Sequence, residues 1–255
     1  MTDTTHSAPT APPTDLDYGS LRAMLLNCTL TRSPGESHTA RLMGAVATVM
    51  RAQGVTVDEL RAVDHPIAEG IAHDMTEGDD GVDRDAWPEI FERVRAADIL
   101  VLGTPLWLGE KSSVCTRVME RLYGSSGRFN ERGQFAFYGK AAGWVITGNE
   151  DGVKHASMNL AFSLSHIGYT VPPNGDAGWI GEIGPGKSFG DDDEVGLDNP
   201  FTHRNVSLMA WNLMHGAAIL KAHGGIPAWG TAMERWTDGE RFGTPSLRSL
   251  VSDAP

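Results

Sequence analysis

The sequence predicts an α/β protein: a doubly wound, five-stranded parallel sheet with helices on both faces. Two observations carry that expectation. Short apolar runs that read as buried strands alternate along the chain with longer segments whose apolar residues recur at helical spacing. Each pair of successive strands is separated by such a helix, which makes parallel, right-handed βαβ units and covers both faces of the sheet. With 255 residues, 40% hydrophobic and 21% charged, the chain has the size and composition of an ordinary globular protein.

The elements follow in order. Residues 1–20, MTDTTHSAPTAPPTDLDYGS, are rich in Thr, Pro, Ser and Ala and cannot bury a core, so they read as a disordered tail. They lack the basic start and apolar stretch of a signal peptide. Leu21–Asn27 is a buried strand ending at polar loop residues. In SHTARLMGAVATVMRAQG, Ser37 caps a helix, Gly54 follows its end, and Leu42, Val46, Val49 and Met50 share one face. Val55–Leu60 alternates as a second strand, and the polar stretch Asp64–Asp83 reads as an insertion. DAWPEIFERVRAAD is helical, with Ile90, Phe91, Val94 and Ala97 inward.

Ile99–Trp107 opens with the most buried-looking strand in the chain, and SSVCTRVMERLYG is the next helix. Gly143–Thr147 is a strand leading to a glycine turn, followed by the helix GVKHASMNLAFSLSHIG. YTVPP, from Tyr169, starts the fifth strand, and HRNVSLMAWNLMHGAAILKAHG is a long closing helix. One domain over residues 21–225 is expected, with a C-terminal extension over 226–255.

Composition narrows the function. A formal net charge of −12 and a pI of about 5.1 repel polyanions, and no basic stripe marks a nucleic-acid binder. No apolar run approaches bilayer-spanning length. Cys28 and Cys115 are the only cysteines and form no C-x-x-C pair, so each reads as a small buried hydrophobe in a reduced, cytoplasmic protein without a metal site. There is no G-x-S-x-G elbow and no H-E-x-x-H, the starting residues of a hydrolase or a zinc peptidase.

In a doubly wound sheet, ligands bind beyond the carboxyl ends of the strands, near the point where strand order reverses. That directs attention to Cys28–Thr39, Thr104–Ser113 and Thr147–Gly152. One segment outside these loops competes: GEIGPGKS, residues 181–188, matches the G-x-x-x-x-G-K-S phosphate loop. Such a loop needs a helix directly after the lysine, whereas FGDDDEVGLDNP supplies glycines, a proline and a cluster of acids. GEIGPGKS therefore reads as a Gly/Pro surface loop, and the run Gly190–Glu194 as a solvated one.

NCTLTRSPGESHT, between the first strand and the first helix, has the required context. It lacks G-x-G-x-x-G, which argues against a dinucleotide pyrophosphate. It offers hydroxyls at Thr29, Thr31, Ser33, Ser37 and Thr39, suited to a single phosphate monoester at a helix start, or simply to a capped polar loop. GTPLWLGEKSS places Pro105, Leu106, Trp107 and Leu108 at a strand end, where they can face a flat aromatic ligand or cap the core. TGNEDG adds glycines for close backbone approach, with Thr147 and Asn149 as hydrogen-bonding partners. One phosphate, one flat ring and one set of amide-like partners describe FMN.

With those residues in place, the chain from about Leu21 to His223 resembles the flavodoxin-fold superfamily of NADPH-dependent FMN reductases and NAD(P)H quinone oxidoreductases. The resemblance lies in NCTLTRSPGESHT, GTPLWLGEKSSVCTRVMERL and KAAGWVITGNEDG; GWIGEIGPGKSF is also similar to a segment of NAD(P)H-dependent relatives. It implies that Thr29, Ser37, His38 and Thr39 hold the FMN phosphate, His38 standing where asparagine is common. Pro105, Leu106, Trp107, Leu108 and Gly109 would pack along the isoalloxazine, and Thr147, Gly148, Asn149 and Gly152 would line its far edge. It further implies hydride transfer from NADPH or NADH through FMN to a small-molecule electron acceptor (a quinone, a nitro or azo compound, or free flavin), in a homodimer or higher homo-oligomer with the flavin near the interface. A flavodoxin-type electron carrier is the alternative; the extra loops Asp64–Asp83, Tyr123–Lys140 and Asp176–Thr202 favour the enzyme.

Overall fold

The computed structural model describes residues 15–77, 81–184, 186–191, 196–246 and 248. Residues 1–14 of the expected tail, and 192–194 of the acidic run, lie outside the described residues. Five parallel strands form the sheet: β1 (Arg22–Asn27), β2 (Thr56–Arg61), β3 (Ile99–Trp107), β5 (Ala141–Gly148) and β6 (Asp176–Ile180). Their order is β2-β1-β3-β5-β6, and the two-residue β4 (Glu110–Lys111) folds back antiparallel on the end of β3. Among the parallel strands this is the flavodoxin-like arrangement, with the reversal between β1 and β3.

The helices are α1 (His38–Ala52), α2 (Trp87–Ala96), α3 (Ser113–Ser126), α4 (Val153–His166), α5 (Pro200–Ala222) and the short α6 (Met233–Thr237). Alternation along the strands sends side chains to two cores. Ala23 and Leu25 of β1 join Val46 and Met50 of α1 and Leu213 of α5 on one face. Met24 and Leu26 join Phe91 of α2, Leu122 of α3 and Leu160 of α4 on the other. Tyr18, placed in the tail by the sequence, is buried in the first core, and its hydroxyl meets His215 Nδ1 at 2.7 Å.

The fifth parallel strand is not where YTVPP placed it. Thr170 makes only an isolated bridge to Ala141, and pairing resumes at Asp176 opposite Trp144. Pro172 and Pro173 carry no N–H, so they cannot continue a ladder. β6 is therefore an edge strand that ends at Ile180, and GEIGPGKS begins on the next residue. The closing helix starts at Pro200, not His203, with the Asn199 side chain accepting from Thr202 N.

The polar insertion after β2 is fastened to α3 by a buried ion pair and by the more exposed pair Arg117–Glu69. Arg121 of α3 and Asp85 meet at 2.5 Å with both side chains fully buried. Asp85 also accepts from the amides of Ala68, Met75 and Trp87, and Arg121 donates to His73 O. Burial works against the charged form of Arg121, and the adjacent carboxylate opposes that effect. Gly124 lets the backbone at Ile71 lie directly on α3, since a Cβ there would stand 1.9 Å from Ile71 O. Cys28 and Cys115 are both buried and free; hydrogen bonding of the Cys28 thiol with Cys115, then burial, pushes it well up, which makes it a poor nucleophile.

Candidate functional site

A cavity of about 580 Å³ opens at the carboxyl end of the sheet, at the reversal in strand order. The loops after β1, β3, β5 and β6 form its walls. At one end stands the start of α1. Ser37 has extended backbone (φ −140°, ψ 108°), and its Oγ accepts from Ala40 N, which makes it the N-cap the sequence predicts. The same oxygen accepts from Asn27 Nδ2 at 3.2 Å, so its own proton is directed to neither partner. The Asn27 carboxamide oxygen in turn fixes Thr29 N at 3.1 Å. A helix start with free amides and a hydroxyl suits an anion, because the aligned peptide dipoles leave about half a positive charge there.

The remaining walls suit a ring. Pro105, Leu106 and Trp107 extend from β3, with Trp107 half exposed. Thr147, Gly148 and Asn149 come from the end of β5, which pairs with β3 so that Pro105 faces Thr147. Gly148 is tight against β3: a Cβ there would lie 2.9 Å from Leu106 Cβ. Thr39 and Thr147 join the two ends of the cavity through buried hydroxyls 2.7 Å apart.

Of the residues singled out from the sequence, Thr29, Thr31, Ser37, His38, Thr39, Pro105, Leu106, Trp107, Thr147, Gly148 and Asn149 line this one cavity. Four are not among its lining residues. Ser33 is turned to Asp64, donating to it from Oγ at 2.6 Å and from its amide at 2.9 Å. Leu108 and Gly109, with φ of 52° and 76°, make the tight turn between β3 and β4, and Leu108 is 92% exposed. Gly152 packs backbone to backbone on Gly109, where a Cβ would approach Gly109 Cα to 2.5 Å. These two glycines hold the turn against the start of α4.

Sequence reasoning missed the fourth wall. Ile183, Gly184, Gly186, Ser188 and Phe189 line the cavity, so the segment read as a surface loop borders the site. It is not a nucleotide loop: a turn at Phe189–Gly190 follows Ser188, with no helix there. Asn149, which lines the cavity, donates its Nδ2 to the carbonyls of Gly186 and Lys187, and its backbone carbonyl accepts from Gly184 N. Arg41 of α1 donates to Gly190 O, fixing the far end of the segment. Had Asp176–Ile180 been recognised as the strand, the strand-end rule would have pointed to these residues. Glu36 and Glu150 also line the cavity, Glu150 accepting from Leu108 N.

A doubly wound sheet with a helix start, an apolar plate and hydrogen-bonding strand ends at its reversal point is an α/β arrangement that suits FMN. The donor set fits that group: amides and Ser37 at one end, Trp107 and Leu106 along the plate. The family model described as NADPH-dependent FMN reductase matches residues 21–179. The chain belongs to that family.

Individual relatives add detail. The chain is 33% identical over 206 residues to 8-demethyl-8-aminoriboflavin-5'-phosphate synthase of Streptomyces davaonensis, covering 79% of each. It is 53% identical over 222 residues to a protein of Mycobacterium bovis named divalent metal cation transporter MntH; that match takes in 87% of the chain but 32% of the relative. The chain thus spans about a third of that relative's length. Among the described residues no helix is long and apolar enough to cross a membrane. The crystal structure of RosB with bound 8-demethyl-8-formylriboflavin-5'-phosphate superposes with a TM-score of 0.76 at 28% identity, covering 90% of this chain and 94% of that one.

Proposed function

We propose that the protein passes hydride from NADPH or NADH through FMN to a small-molecule electron acceptor, with the FMN phosphate at the start of α1 and the ring along Pro105–Trp107. The observation that supports this most is that eleven residues from the loops after β1, β3 and β5 line one cavity, where a helix N-terminus stands at one end and an apolar wall at the other. FMN supplies the hydride chemistry; the chain supplies position and electrostatics. Ser37 and the amides at the start of α1 orient the phosphate. Leu106 and Trp107 exclude water from the ring face. Thr147 and the backbone at Gly148 present polar groups to the ring edge.

If nicotinamide and acceptor use the same open face in turn, steady-state kinetics with an acceptor series give parallel double-reciprocal lines. Intersecting lines would require a ternary complex and a second site. A second reading has an observation of its own: the relatives from Streptomyces davaonensis and in the RosB crystal carry names in which a riboflavin phosphate is what is made or bound. On that reading the flavin phosphate is itself the substrate. Mass spectrometry of the flavin after turnover separates the two, since a cofactor is recovered unchanged and a modified substrate is not.

A homodimer with the cavity beside its interface belongs to the same proposal. Tyr123 of α3 and Phe162 of α4 are exposed and line one groove, and Trp107, Leu108 and Met158 are exposed as well, which supports a covered apolar face. Sedimentation at micromolar concentration is expected to show a dimer; a fully active monomer would contradict this.

A further inference from the structure

Resting on the FMN reading above, we propose that binding of the flavin phosphate takes up one proton and that His38 carries it. The lining of the cavity is short of positive charge. Among its described residues are two carboxylates, Glu36 and Glu150, and no lysine or arginine. Arg41, on α1 beyond His38, is already committed, pairing with Glu36 at 3.2 Å and donating to Gly190 O. A third carboxylate, Asp191, stands 3.5 Å from His38 Nε2 and is held there by accepting from Ser188 N at 2.6 Å. His38 is therefore the one cavity-lining side chain that can gain a positive charge.

The imidazole is also weakly held. The Nε2–Asp191 separation of 3.5 Å is longer than a normal N–H···O bond, and Nδ1 is buried with no partner among the described residues. A phosphate monoester at the start of α1 brings up to two negative charges beside a ring that already faces a carboxylate. The helix terminus offsets only about half a charge. Glu36 and Glu150 act in the same direction as Asp191, since each further anion favours the charged ring. Histidine is the side chain that changes charge across the physiological range, so the ring meets the remainder by accepting a proton from solvent. Neutral imidazole, one proton and the dianion become an imidazolium–phosphate pair beside Asp191; no other bond is made or broken.

The sign follows from linkage. The bound state holds more protons than the free state, so FMN affinity falls as pH rises, by up to about tenfold per pH unit once the free ring is neutral. The phosphate cannot be the source of this uptake: its second ionisation lies near pH 6, and at about pH 7.5 it is already the dianion.

The test is calorimetric titration of FMN and of riboflavin into the full chain freed of flavin, at about pH 7.5, in buffers of different ionisation enthalpy. Net proton uptake is expected with FMN, and none with riboflavin. His38→Asn should abolish the uptake and flatten the pH dependence of affinity, with His38→Gln as a second variant should the first not fold. Asp191→Asn keeps an acceptor for Ser188 N and should reduce the uptake while raising FMN affinity at the alkaline end. FMN binding without proton exchange, or an uptake that survives both His38 substitutions, would overturn the proposal while leaving the flavin site intact. Equal affinity for riboflavin and FMN would instead remove the phosphate from α1, and the proposal would fall with the reading beneath it.

Discussion

Asp85→Ala is expected to destabilise the fold by about 3–5 kcal/mol, the usual cost of stripping one partner from a buried ion pair. Its carboxylate is fully buried against Arg121 and also accepts from the amides of Ala68, Met75 and Trp87. Alanine leaves a guanidinium in the interior with Nε and Nη1 already without partners, and it frees three amides. The stretch from Ala68 to Trp87 then loses its buried ionic contact with α3 and keeps the exposed Arg117–Glu69 pair and the hydrogen bonds of His73 and Trp87 to Ser125. Urea denaturation of wild type and variant gives the difference directly. The double variant Asp85→Ala, Arg121→Met should recover part of the loss, because the stranded charge is gone. A single-variant cost under about 1 kcal/mol would show that the pair is not what anchors this segment.

The second large effect is on ligand choice. Riboflavin should bind at least about a hundredfold more weakly than FMN, since two hydrogen bonds to a charged phosphate at roughly 1.5–3 kcal/mol each are lost together. Ser37→Ala should weaken FMN binding about tenfold or more while leaving riboflavin nearly unaffected. The same substitution removes the cap of α1, at about 0.5–2 kcal/mol of stability. Fluorescence quenching of the two flavins by wild type and variant separates these terms. A Ser37→Ala effect of equal size on both ligands would mean that the serine acts only on the helix. Thr39→Ala differs in kind, because its hydroxyl is bonded to that of Thr147 and its loss leaves a buried polar group unpaired.

Much of this was legible in the sequence because it is local. The cap at Ser37, the strand at Ile99–Trp107 and the helical faces of α1 and α2 follow from neighbouring residues alone. The site was legible as far as strand ends could be located, which brought the loops after β1, β3 and β5 together. The segment after β6 was lost through a single displaced strand. Tyr169–Val171 has the composition of a strand, and only the prolines behind it, together with the register of β5, move the pairing to Asp176. Ser33, Gly109 and Gly152 were placed in the right loops, but no pattern in the chain reveals that one faces Asp64 and that the other two face each other. The contact between Arg121 and Asp85 spans 36 residues and leaves no periodic trace.

The turn between β3 and β4 has a bearing on how this protein could be re-engineered. Leu108 adopts a left-handed backbone, at a cost of about 1–2 kcal/mol for an ordinary residue, while holding an almost wholly solvent-exposed apolar side chain. Glycine or asparagine would make the same turn more cheaply. For folding alone this is the wrong amino acid in the wrong conformation, at the lip of the cavity beside Trp107. A stabilising programme that ranked positions by local fitness would change it early. Positions that are costly for the fold and adjacent to the chemistry are where stability and activity are traded against each other. Leu108 should therefore be kept fixed until the activity of its variants has been measured.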